Sequence, residues 1–152
     1  MKLANNVRIK VFAKEEENAA EIEEKLKQLV PLDFEKEKIP VKKQAATGFN
    51  EKKITIMELS LAKNKHINAF LDFLKEKLGE RQKELLIRQK ETRLDNELNF
   101  FMRLDKEKLL QNEFWITDSG NCYHIKISVA AFPRKRENAL KAVDDALGLK
   151  AP

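Results

Sequence analysis

The sequence predicts an α+β protein of two layers, a mostly antiparallel sheet with helices packed on one face. Three observations carry that expectation. Apolar residues alternate with polar ones in several short runs, these runs fall in hairpin pairs, and stretches of helical periodicity separate them. The chain has 152 residues, 42% of them hydrophobic, which suffices for one core. No internal repeat or low-complexity linker divides it, so residues 1–152 read as one domain.

Val7, Ile9 and Val11 alternate with Arg8, Lys10 and Phe12, the pattern of a strand with one buried face. In the following EEENAAEIEEKLKQLV, Ala19, Ile22, Leu26 and Leu29 recur at helical spacing. Its glutamates crowd the first turns, where the helix dipole favours them, and Pro31 ends the helix. Residues 33–62 read as a long hairpin. Val41 to Thr47 leads out, Gly48 and Asn50 make the turn, and Lys53 to Ala62 returns through the β-branched ITIMELSLA. Asn64 is placed to cap a helix whose stripe is Ile67, Phe70, Leu71, Leu74 and Leu78, and Gly79 stops it. A more polar helix over 81–95 makes either a hairpin with it or one bent helix.

Leu98, Phe100 and Met102 alternate against Asn99, Phe101 and Arg103 in a further strand, and the short helical turn KEKLLQ follows Asp105. A second hairpin is expected from Phe114–Asp118, the turn Asp-Ser-Gly-Asn, and Tyr123 to Phe132. Tyr123, Ile125, Ile127 and Val129 line one face of that last strand, and His124, Lys126 and Ser128 the other. Pro133 opens a final helix with Leu140, Val143 and Leu147 inward, ended by Gly148.

Nothing in this pattern assembles catalytic chemistry. The four glycines are isolated, so no phosphate-cradling loop is present. His66 falls in the first turn of a helix and is expected at the surface. His124 and Cys122 share a strand face but have no third group to orient them. The carboxylates mostly sit beside lysines on helices, where solvated ion pairing explains them, and Asp105 and Asp118 fall at turns. The expectation is no enzyme, no metal and no cofactor. A single cysteine excludes an intrachain disulfide framework and a cysteine-based zinc site within one chain. No apolar run approaches the roughly 20 residues of a membrane span, and MKLANNVRIK lacks a signal-peptide core, which makes a reducing cytoplasm the expected location.

Charge points to a polyanionic partner. Lys and Arg number 30 against 25 acidic residues, for a net charge of +5, and the pI is near 9.2. Residues 14–28 are acidic, whereas positive charge gathers elsewhere. Lys42 and Lys43 precede the first hairpin turn, Lys52 and Lys53 follow it, Arg103 and Lys106 lie along the 98–106 segment, and Arg134, Lys135 and Arg136 precede the last helix. Such groups hold phosphates without reading sequence. Phe49 at the hairpin tip either stacks on an unpaired base or folds back on its own hairpin or against a dimer partner. The lysines equally serve as ordinary solubilising charge.

The stretch FFMRLDKEKLLQNEFWITDSGNCYHIKISVAAFPRKRENAL resembles the C-terminal half of an archaeal RNA-binding family associated with the exosome. Its pattern is Arg103, Asp105 and Lys106 before a short helix, then a segment ending in Asp118, then YHIKISV running to Phe132-Pro133. The resemblance spans most of the chain and is specific over 98–133. It implies a fold similar to the five-S-rRNA-binding protein of the large ribosomal subunit, archaeal origin, and RNA as ligand, with the exosome or ribosomal components as partners. Two places depart from it. Where relatives carry a histidine-rich tripeptide and a His-x-Gly-Asn group, this chain has Ala13-Lys14-Glu15 and Ala46-Thr47-Gly48-Phe49-Asn50. A histidine contact to RNA at those places is therefore absent or altered.

Within the matched motif, Arg103 either faces a phosphate on the open side of the sheet or pairs with Asp105 or Asp118. Lys106, expected exposed, is the better RNA ligand. The function expected is non-catalytic binding of structured RNA by shape. The alternative is a protein-interaction module, such as a homodimer through a sheet edge or the 64–95 helices.

Overall fold

A computed structural model describes residues 2–149. Its elements run β1 (Ala4–Lys14), α1 (Ala19–Gln28), α2 (Phe34–Glu37), β2 (Val41–Thr47), β3 (Lys53–Leu61), α3 (Asn64–Lys77), α4 (Glu80–Arg93), β4 (Asn99–Asp105), α5 (Lys106–Leu110), β5 (Cys122–Val129) and α6 (Arg136–Leu147). The strands form one open sheet in the order β2-β3-β1-β5-β4, and every pair in it is antiparallel. The α+β class expected from the hairpin pattern is the class observed.

Alternation decides the layers. In β1, Ala4, Val7, Ile9, Val11 and Ala13 are buried. Register places Val7 beside Leu61 and Ile127, and Ile9 beside Leu59 and Ile125. Ile127 and Ile125 in turn face Phe100 and Met102 of β4. This continuous apolar surface is covered by Ile22 and Leu26 of α1, Phe70, Leu71 and Leu74 of α3, and Ala139, Val143 and Leu147 of α6, all in one buried cluster. The phenol of Tyr123 donates to the Ile22 carbonyl at 2.8 Å inside that layer, tying α1 to β5. Burial pushes its pKa well above the ordinary 10 for tyrosine, so the phenol stays protonated.

Caps set several helix ends. The Asn18 side chain accepts from the Glu21 N–H before α1, and Asp105 accepts from the Lys108 N–H before α5. Gly148 closes α6 with φ of 66°, a left-handed conformation glycine takes without a Cβ clash.

The structure corrects the sequence reading at several places. The second hairpin does not form. Phe114–Asp118 contributes only an isolated bridge, Ile116 to Leu104, because β5 already has β1 on one side and β4 on the other. The Ile116 N–H instead donates to Gln82 Oε1 of α4. Asn64 lies inside α3, whose N-cap is Lys63. Leu78 and Gly79 are both extended, with ψ of 122° and 166°, so α3 and α4 are two helices and not one bent rod. Residues 34–37 make the unexpected short α2, which Asp33 caps. The last helix begins at Arg136, three residues past Pro133.

His66 is the clearest reversal. Expected at the surface, it is buried, its Nε2 lying 3.1 Å from Glu37 Oε1. Glu37 also accepts from Lys65 at 2.9 Å, and these two partners hold its carboxyl below the usual range.

Candidate nucleic-acid interface

The residues expected to bind RNA fall into three groups. The first lies on or near the β2–β3 hairpin. Lys42 and Lys43 point to opposite faces, since they sit opposite Glu58 and Met57 respectively. Lys43 turns toward the helix layer and pairs with Glu23 of α1 at 2.6 Å. Lys52 and Lys53 are exposed at the turn, where Asn50 and Glu51 adopt positive φ of 62° and 59°. The Phe49 side chain lies outside the described residues.

The second group is structural at close range. Lys106, expected exposed, is only 2% exposed. Its ammonium donates to the Phe12 carbonyl at 2.8 Å and to Glu17 Oε1 at 2.9 Å, fastening α5 to the end of β1. Burial pushes the Glu17 carboxyl up, but the bonds from Lys106 and the Lys14 amide push it further down, leaving it below the usual 4.5. Arg136 donates to the Leu94 carbonyl at 3.0 Å and to the Glu91 carbonyl, capping the end of α4. Arg134 donates to the Glu97 carbonyl at 3.0 Å. Lys135 is exposed.

The third group is Arg103, and it opens onto a surface the sequence reading did not assemble. The face of the sheet turned away from α1, α3 and α6 carries no helix among the described residues. On it, register brings Arg8, Lys126 and Phe101 into one cross-strand row and Lys10, His124 and Arg103 into the next. The two rows make a block three strands wide, with four cations and two rings. Neighbouring strands are about 4.8 Å apart, and same-face residues along a strand about 6.8 Å apart. Lys42 and Glu58 extend the second row through β3 to β2. Glu58 is the acid in that row, and the Arg8 guanidinium lies 3.9 Å from it.

Arg103 does not form the paired-carboxylate bridge foreseen as one of its two readings. It donates to the Asp118 backbone carbonyl at 2.9 Å, which ties the guanidinium to the segment running along the outer edge of β4. The Asp118 carboxylate instead lies 3.8 Å from Arg93. Phe101 and His124 meet with centroids 5.8 Å apart and planes at 45°. Partial burial, then Arg103, Lys10 and Lys126, pull the His124 pKa below its ordinary 6.5, so the ring is neutral at pH 7. Burial raises the Cys122 thiol's pKa, which keeps it protonated and unreactive. Phe12, in phase with Lys10 on β1, is 41% exposed beside the block; Trp115 is 46% exposed with the Lys108 ammonium of α5 5.1 Å from its ring.

The chain's likeness to known proteins agrees with this chemistry. A family model described as RNA binding matches residues 6–130, from β1 through β5. The chain belongs to that family. A relative named an RNA-binding protein, from Pyrococcus abyssi, is 26% identical over 140 residues, spanning 92% of this chain and 91% of its own. Among solved structures, a protein of Archaeoglobus fulgidus superposes with a TM-score of 0.80 at 24% identity, covering 94% of this chain and 99% of its own. That likeness shows the fold. A DUF54 protein from Methanothermobacter thermautotrophicus gives 0.76 at 25% identity, over 96% and 99%. The family match contains the whole two-row block, whereas Arg134, Lys135 and Arg136 fall beyond it.

The block was missed because its members are scattered through three strands. The local signal was present: Arg8 and Lys10 in β1, and Lys126 in β5, occupy the polar phase of otherwise apolar strands. Only strand order turns those separate phases into one surface. Among the described residues, no group of three metal-ligating side chains occurs, and no helix is long and apolar enough to cross a membrane.

Proposed function

We propose that the chain binds structured RNA without catalysing a reaction on it, laying the phosphate backbone across the open face of the sheet. The observation that supports this reading is the block of Arg8, Lys10, Arg103 and Lys126, four cations on one uncovered surface of a chain in an RNA-binding family. Lys42 continues the positive surface toward β2, with the exposed Lys52 at the hairpin turn, whereas Lys53 falls in the phase of Met57 on the opposite face. An accessory place beside the archaeal RNA-processing exosome, in the cytoplasm, belongs to the same reading, and the resemblance over 98–133 supports it.

The test is a salt series with a structured RNA, for the wild type and for Arg8→Glu/Lys10→Glu/Lys126→Glu. Four phosphate contacts give a log–log salt slope of about −3 to −4. The triple variant is expected to lose binding while keeping the wild-type melting temperature, because none of the three side chains is buried. Binding that survives the charge reversal would refute this surface. The rival reading, a protein-interaction module, expects association that salt does not weaken. The free edge of β2 is poorly suited to strand addition, since Lys42 and Lys43 stand on both of its faces.

A further inference from the structure

We infer that Phe101 and His124 receive unpaired bases, so that the RNA held on the open face presents a single-stranded stretch across β4 and β5. The inference rests on the RNA-binding reading above and names what that RNA must offer.

Phe101 occupies the solvent phase of β4, although its neighbours Phe100 and Met102 are fully buried. A phenylalanine has nothing polar to gain from water, so its place on the charged face calls for a partner of its own kind. His124 beside it is a second flat ring, and the 45° tilt between them prevents a closed stack that would occupy both faces. Cations stand beside both rings on this face, with the nearly buried Asn99 and Cys122 next in phase along β4 and β5. Lys126 stands opposite Phe101 and Arg103 opposite His124, while Lys10 flanks His124 from β1. The rings and cations therefore alternate along β4 and β5 at the strand's same-face repeat of about 6.8 Å.

That alternation suits an unpaired strand, which carries bases and phosphates side by side. A duplex keeps the faces of its bases stacked inside, so it can use the four cations but leaves both rings idle. Stacking on an aromatic side chain tolerates any base, because every base has a π face. The selectivity inferred is thus for unpaired nucleotides, without preference among the four bases. Phe12, next after Lys10 in the same phase of β1, provides a further exposed ring for a longer stretch.

The experiment compares two RNA hairpins of equal length and charge, one fully paired in its stem and one with a bulge labelled by 2-aminopurine. The proteins are the wild type, Phe101→Leu, Phe101→Tyr and Arg8→Glu/Lys10→Glu/Lys126→Glu, each first checked by thermal melting. The wild type is expected to bind the bulged RNA more tightly and to quench the label. Phe101→Leu keeps apolar bulk without the π face, and is expected to lose about tenfold in affinity for the bulged RNA at an unchanged salt slope. Phe101→Tyr should restore it. Equal affinity for both RNAs, an unquenched label and indifference to Phe101→Leu would overturn the inference. If the charge reversal still abolished binding, the phosphate-binding face would stand without it. Failure of the wild type to bind either RNA would overturn both.

Discussion

Replacing Lys106 by methionine separates a brace from a ligand. The substitution keeps most of the aliphatic stem inside the core and deletes the ammonium. Lost with it are bonds of 2.8 Å to the Phe12 carbonyl and 2.9 Å to Glu17. Each bond to a charged group contributes about 1.5–3 kcal/mol. Against that loss, methionine spares the folding chain the desolvation of a nearly buried cation, and Glu17 is one-quarter exposed, so water can rehydrate it. The expected net cost is about 2–3 kcal/mol. For a chain of this length that lowers Tm by about 4–12 °C. The same variant should lose part of its acid sensitivity. Glu17 sits below its ordinary 4.5 in the fold, so it stabilises the protein above that pH and ceases to do so as pH falls through the lowered value. Without Lys106 that contribution shrinks. The assays are thermal melting by circular dichroism across pH and RNA affinity measured well below Tm, where affinity should be unchanged within about twofold. An unshifted Tm with a tenfold loss of RNA affinity would refute the reasoning and return Lys106 to the binding surface.

Three further outcomes are expected. Tyr123→Phe removes the buried bond to the Ile22 carbonyl and should cost about 1 kcal/mol in urea unfolding, with RNA affinity intact. Arg136→Ala should uncap the end of α4 and cost about 1 kcal/mol, read as faster amide exchange in residues 89–95 and not as weaker RNA binding. RNA affinity should rise as pH falls from about 7 to about 5.5: burial first, and then repulsion from Arg103, Lys10 and Lys126, lowers the His124 pKa, and phosphates beside those cations relieve the repulsion, so binding takes up a proton. His124→Asn should flatten that profile in fluorescence-anisotropy titrations.

The layers were legible because burial follows a local rule. Val7, Ile9 and Val11 announce the inward face of β1 without knowledge of any neighbour, and Asp105 announces the start of α5 in the same way. The roles of cations were not legible, because they depend on partners far along the chain. Lys106 meets Glu17 across 89 residues and Arg136 meets Leu94 across 42, and a lysine or arginine bound for such a partner looks like one bound for water. The Phe114–Asp118 segment shows the converse. Its strand-like composition is genuine, but the side of β5 it would have joined is occupied by β4. His66 was misplaced for a related reason, since the short α2 that supplies Glu37 lay inside what read as hairpin.

The middle position of β1 has a consequence for how the molecule is made. β1 leaves the ribosome before both of its neighbours, β3 on one side and β5 on the other, and β5 begins only at Cys122. One flank of β1 therefore stays open through most of synthesis. Local hairpins form early in a growing chain, whereas pairings between distant segments wait for the later segment to emerge. The rows Arg8–Lys126–Phe101 and Lys10–His124–Arg103 come into existence in that last step, since each draws on β1, β5 and β4. A nascent or prematurely terminated chain would carry the same cations in scattered form. The assembled face thus exists only in chains that have been made past β5, and it is acquired all at once when β5 slots between its neighbours.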